Sequence, residues 1–237
     1  MRSLLFALCL LGLVAPAVSS QLYVGTETCA QCHQNEYTDW RESHHRAAMA
    51  EPTRTTVLAP FEGEEFVRFG KTTRFYQQNG RFFITTDDTR EGKTTFEVAY
   101  TFGIYPLQQR LIPTHQGHLQ SFTVAWDARP KSAGGQRWYH LTPDEYIAPE
   151  DPLHWSGLYQ NWNNSCAECH STDVKKNYSE DNDTYDTTFA EVSVGCEACH
   201  GPGQSHITGA QGDQSQAAPQ WPSQLKQRAH WTFKSKP

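Results

Sequence analysis

The sequence predicts an α+β fold: helical and loop segments gathered around three CxxCH pentapeptides, with a β-rich insert between the first pentapeptide and the second. Three observations predict it. The pentapeptides are Cys29-Ala30-Gln31-Cys32-His33, Cys166-Ala167-Glu168-Cys169-His170 and Cys196-Glu197-Ala198-Cys199-His200. Between the first two, residues 57–140 alternate short β-branched and aromatic runs with turn signals. Only 37% of the chain is hydrophobic, thin for a conventional core at this length, so a large apolar group has to supply the missing volume.

The pentapeptides say what that group is. Two thiols one helical turn apart reach the two vinyl groups of one porphyrin, and the imidazole of the next residue comes up beneath the iron. Histidine makes up 11 of 237 residues, so it would follow CxxC by chance about one time in twenty, and three times running about once in ten thousand. The spacing therefore predicts three covalently bound c-type haems, carried by Cys29 and Cys32, Cys166 and Cys169, and Cys196 and Cys199. Tetrahedral zinc wants CxxC knuckles in pairs or with finger-spaced histidines, and a disulfide framework leaves the thrice-repeated His without a reason.

In chain order, residues 1–20 read as a signal peptide: Arg2 is the basic start, Leu4 to Val14 the apolar stretch, and Ala17-Val18-Ser19 the small-residue cleavage site. Cys9 falls inside the apolar stretch and leaves with it. Export suits the cofactor, because thioether bonds to haem are made beyond the cytoplasmic membrane, and the expected location is periplasmic or extracellular. No later stretch approaches eighteen apolar residues, so no stable membrane span is expected. Without Arg2, 19 basic side chains face 26 acidic ones, a formal charge of −7 that excludes a nucleic-acid partner.

Residues 21–56 form the first haem-binding segment. Cys29 to Glu51 lacks Gly and Pro, and Tyr37, Trp40, His44 and Ala48 recur at three-to-four spacing, which predicts one amphipathic helix closed by Pro52. Residues 57–140 are the β-rich insert, with strand-like runs at Phe66 to Phe69, Thr73 to Tyr76, Phe82 to Thr86, Thr94 to Thr101 and Leu119 to Trp126, and turns at Asn79-Gly80 and Glu91-Gly92. Its His115 and His118 lie in a turn-like Pro-Thr-His-Gln-Gly-His stretch, read as filler or a docking surface, with haem ligation as the other option. Residues 141–206 are the two-haem segment, whose motifs begin thirty residues apart, so their haems are expected to be neighbours. The acidic run Ser179 to Asp186 between them reads as a solvated loop, with a calcium site as the minor option. Residues 207–237 are a polar tail or the start of a further C-terminal region.

The motifs fix the proximal ligands as His33, His170 and His200, and the distal side decides function. A bis-His iron passes electrons and binds little, whereas an open iron can activate a substrate. Distal candidates are His45, His206, His154, His140 and His44, with His230 and His118 better read as ordinary side chains. Met49 is the one methionine left after export, so at most one haem can be His/Met. On a single helix His45 stands roughly 18 Å beyond His33 and must serve another haem or none. His206 follows His200 by six residues, at most about 20 Å of chain, too little to round a porphyrin edge; it is expected to reach a neighbour, the haem of Cys166 and Cys169.

Four stretches carry a family resemblance: Trp40-Arg41-Glu42-Ser43-His44-His45, Gly-Gly-Gln-Arg-Trp-Tyr-His at 134–140, Asp151-Pro152-Leu153-His154-Trp155, and Cys196 to Gly203 with His206. Across roughly residues 22–206 the chain resembles bacterial exported multihaem cytochromes c, more narrowly the branch related to the tetrahaem cytochromes of nitrifiers, whose longer members carry a tetratricopeptide region. The resemblance implies that the Ser-x-His element at Ser43 to His45 and the His after the CHGPG loop, His206, are distal ligands. It departs in having three motifs where relatives commonly have four or more. The expected function is electron relay between redox partner proteins through closely spaced, mostly bis-His haems, with no catalytic residue assigned. The alternative is a multihaem oxidoreductase of a small nitrogen or sulfur compound at one open iron, with His44, His140 or Tyr139 handling protons.

Overall fold

The computed structural model describes residues 22–212, so the expected signal peptide, most of the 207–237 tail and His230 lie outside the described residues. Two antiparallel sheets dominate. One is a meander of β2 (Glu62–Arg68), β3 (Lys71–Gln78), β4 (Arg81–Thr86) and β5 (Thr94–Glu97); the other runs β1 (Met49–Ala50), β6 (Tyr100–Phe102), β7 (Leu107–Pro113), β9 (Val124–Asp127), β10 (Arg137–His140), with β8 (Leu119–Ser121) also on β7. A small hairpin joins β11 (Tyr178–Ser179) and β12 (Thr184–Tyr185). The helices are short: α1 (Thr26–Cys29), α2 (Gln34–Arg41), α3 (Trp162–Ser165), α4 (Ala167–His170), α5 (Cys196–His200) and α6 (Gln204–Ala210). Among the described residues no helix is long and apolar enough to cross a membrane.

Local chemistry explains the meander. Asn79 and Gly80 both take positive φ, 52° and 78°, between the paired Gln78 and Arg81, the left-handed two-residue turn that matches the strands' right-handed twist. Along β4 every second residue points inward, so Phe82, Ile84 and Thr86 are buried. Phe82 and Ile84 join Phe61, Phe75, Val98, Ile112, Phe122, Val124, Trp126 and Trp155 in one core drawn from both sheets. Phe75 of β3 stacks on Trp138 of β10 at 3.6 Å between ring centres, which ties sheet to sheet.

The helix expected from Cys29 to Glu51 ends at Arg41. Its periodicity runs on, but tertiary partners take the backbone away. The Ser43 hydroxyl donates to the Trp40 carbonyl at 2.7 Å, the kind of local bond that competes with helix continuation, and the His45 carbonyl accepts from Val194 N. Met49 and Ala50 then pair with Phe102 and Thr101 as β1 on β6. The helical 18 Å offset between His33 and His45 therefore does not exist in the structure.

His140, one of the candidate ligands, is buried at the end of β10. Its Nε2 lies 2.9 Å from Thr123 Oγ1 and its Nδ1 accepts from Thr142 N at 3.0 Å. Burial, followed by the positive charge of Arg68, pushes this imidazole down to about 4. The unfolded chain takes up a proton near pH 6.5 and the folded chain only near 4, so stability present above pH 6.5 is lost as pH falls through that window. Denaturant titrations should show stability falling by up to about 1.4 kcal/mol per pH unit near pH 5, with a shallower slope in H140Q.

Candidate haem centres

Each CxxCH closes one tight turn. At the first, Cys32 N and His33 N both donate to the Cys29 carbonyl, at 3.2 and 2.9 Å; at the second, Cys169 N donates to the Cys166 carbonyl at 3.1 Å; the third is the whole of α5. Cys29, Cys32, Cys166, Cys169, Cys196 and Cys199 are all free thiols, the second of each pair exposed and the first half-buried. Burial and then the neighbouring Cys196 and Glu197 push the Cys29 thiol up to about 11, and burial also raises Cys166.

The residues present fit haem. His170 lies with Nδ1 3.2 Å from the Ala48 carbonyl, a contact that spends the Nδ1 proton and leaves Nε2 as the iron-binding nitrogen. Phe102 covers the same ring at 4.3 Å, and the neighbouring apolar cluster contains Met49, Leu111, Trp162 and Ala167. Met49 is fully buried there, its sulfur 3.7 Å from Ser171 Oγ. At the first motif, the exposed rings of His33 and His206 stand 6.1 Å apart between centres. A nitrogen–metal bond of about 2 Å, with each ring centre about 1.1 Å further out, puts two imidazoles on opposite sides of one iron about 6.3 Å apart.

The three turns are fastened to one another through buried polar contacts. Thr26, at the start of α1, gives its hydroxyl hydrogen to Glu191 Oε2 at 2.8 Å and accepts from Cys196 N at 2.9 Å. Thr172, two residues beyond His170, accepts from Gly195 N at 2.9 Å and donates to the Ser193 carbonyl at 2.8 Å. A Cβ at Gly195 would lie 2.0 Å from Glu191 Oε2 and 2.4 Å from Thr26 Oγ1, so only glycine allows this approach. Glu197, between the two cysteines of the third motif and 2% exposed, accepts from Val24 N at 3.0 Å and from Gly25 N and Gly203 N at 2.7 Å. One carboxylate thus holds the irregular segment leading into the first motif and the loop leading to His206. Partial desolvation of the ring, and then the nearness of His33, push His200 below the ordinary histidine range.

His206 therefore neighbours His33 of the first motif, where the sequence expectation directs it to the second. The third motif packs on the first as well as following the second. His45 is exposed, its backbone tied to Val194 two residues before Cys196. His44 is exposed with its ring 6.3 Å from Tyr105. His154 is buried beside Trp155, Nε2 3.2 Å from Asp88 Oδ2 and Nδ1 2.8 Å from Ser156 Oγ. His140 and His154 thus sit in the strand-rich part, in contact with its own side chains. Sequence reasoning missed Thr26, Thr172, Glu191 and Glu197; the only signal for any of them was an acidic residue between two cysteines.

Turns that present paired thiols and an adjacent imidazole define a protein with covalently bound haem. A family model described as cytochrome c554 and c-prime matches residues 28–60 and 131–201, under half the chain, and supports a cytochrome c family working in electron transfer with redox partners. The matched stretches contain all three CxxCH motifs and omit most of the strands between them. No curated protein and no solved structure matches the chain.

Proposed function

We propose that this chain is an exported trihaem c-type cytochrome that relays electrons between partner proteins in the periplasm or outside the cell, on an α+β frame. The observation that carries the reading is the seam of Thr26, Thr172, Glu191 and Glu197, which fastens three haem-binding turns together. Haem supplies the one-electron chemistry; the chain's part is to hold the irons close and set their potentials through ligands and burial. His33 and His206 would together hold the first haem iron, which the 6.1 Å separation of their ring centres supports. His45 is the candidate for the third, supported by its backbone bond to Val194. Ala48 fixes the ring proton of His170 and so its orientation.

Protein matured in a host competent for cytochrome c should give three haem equivalents in a haemochromogen assay, and C166A/C169A should give two. A count below three in the unaltered protein sinks the trihaem reading. Electron paramagnetic resonance of the oxidised protein should show low-spin haem throughout. A high-spin component that shifts with nitrite or hydroxylamine would replace the relay with an oxidoreductase.

A further inference from the structure

We propose that His115, His118 and Asp183 form a reversible site for a divalent first-row transition metal of the nitrogen-preferring class, such as zinc, separate from the haem-binding turns. Their ligand atoms lie within 4.8 Å of one another. His118 Nε2 stands 3.3 Å from Asp183 Oδ1, and His115 Nε2 3.9 Å from Asp183 Oδ2. Ligand atoms sharing one zinc at about 2.1 Å sit about 3 to 3.5 Å apart, so from the present spread of no more than 4.8 Å a contraction of at most about 1.8 Å, through side-chain rotation at the exposed His115 and Asp183, completes a two-histidine, one-carboxylate set with water filling the remaining positions.

The fold builds this meeting from two distant segments. The turn after β7 holds His115 and His118, whose rings stack at 4.4 Å, and the β11–β12 hairpin holds Asp183. Tyr185 N donates to the Gln116 carbonyl at 2.9 Å, and Gly117 seats so closely that a Cβ there would lie 2.0 Å from the Tyr185 carbonyl oxygen. Tyr178 OH donates to Asp183 Oδ1 at 2.9 Å, orienting the carboxylate. The side chains of His115 and Asp183 are 60% and 58% exposed while that of His118 is 12% exposed, which gives a metal ion access from solvent and one firmly seated ligand.

Asn161 makes the site readable. Its amide nitrogen lies 3.1 Å from His118 Nδ1 and its oxygen accepts from Asn164 N at 2.9 Å, capping α3 just before Cys166. With Nδ1 accepting from Asn161, the ring proton sits on Nε2 and is donated to the Asp183 carbonyl at 3.0 Å. A metal at Nε2 takes the place of that proton, which moves to Nδ1, and the Asn161 amide has to turn away. An aspartate at 161 would instead accept the Nδ1 proton and keep the cap.

Zinc chloride titrated by calorimetry into the haem-loaded protein should bind at one equivalent. H115A and D183N should weaken that binding by about tenfold or more, with haem content and circular dichroism unchanged, and N161D should tighten it by about tenfold. The site is refuted if no one-equivalent event occurs, if H115A binds zinc as the unaltered protein does, or if N161D leaves the affinity unmoved. None of these readouts depends on electron transfer.

Discussion

Glu197→Ala should lower the stability of the haem-loaded protein by about 2–4 kcal/mol, read as a fall of roughly 10 °C in melting temperature. The carboxylate is buried and serves three backbone donors, those of Val24, Gly25 and Gly203, through charge-assisted bonds. Alanine leaves those donors facing a cavity from which water is largely shut out, and the unmet donors cost more than the contacts alone contributed. Glu197→Gln is the informative companion. It keeps the shape and one acceptor oxygen but turns the other position into a donor aimed at N–H groups, so its loss should fall between that of alanine and none. Melting should be followed at matched haem content, so that a folding defect is separated from failed haem attachment. If both variants melt with the unaltered protein, the seam between the first and third motifs is not what holds them together.

The same carboxylate shows why the site is only half legible in the sequence. CxxCH is local: five consecutive residues specify the thiols, the turn and the proximal imidazole, and no tertiary knowledge is needed to read them. The bonds from Val24 N to Glu197 and from Thr26 N to Glu191 join residues 173 and 165 positions apart, and no periodicity or spacing reports them. His118 and Asp183 meet across 65 positions in the same way. The fold divides along the same line. The turn at Asn79 and Gly80 and the run Phe82 to Thr86 appear as the β3–β4 connection and most of β4, because a two-residue turn and an alternating strand are written in adjacent residues. The long helix from Cys29 to Glu51 failed because Val194 and Phe102, neither of them local, claim its second half. His154 misleads for a related reason: nothing in its neighbourhood of Pro, Trp and Asp announces that Asp88 lies 3.2 Å from its ring.

His206→Met should change the first haem and leave the third as it was. In the structure the His206 ring faces His33, and α6, which carries it, is placed by the Gly203–Glu197 bond. Thioether sulfur is a weaker donor than imidazole and favours ferrous iron, so one midpoint potential should rise by on the order of 0.1–0.3 V, inside the roughly 0.8 V that axial ligands span. His206→Ala, which offers no ligand, should instead convert about one haem in three from low to high spin. The affected haem is identified by comparison with C29A/C32A: the component that shifts in H206M should be the one missing from that variant. A shift of the component missing from C196A/C199A would mean that His206 folds back over its own motif, against both the short connection and the ring pairing. A shift of the component missing from C166A/C169A would restore the sequence expectation and require α6 to leave His33 when the haems are in place. Because Glu197 positions the loop before His206, E197A should reproduce part of the H206A spectrum while retaining the histidine, linking a backbone clamp in the third motif to the iron of the first.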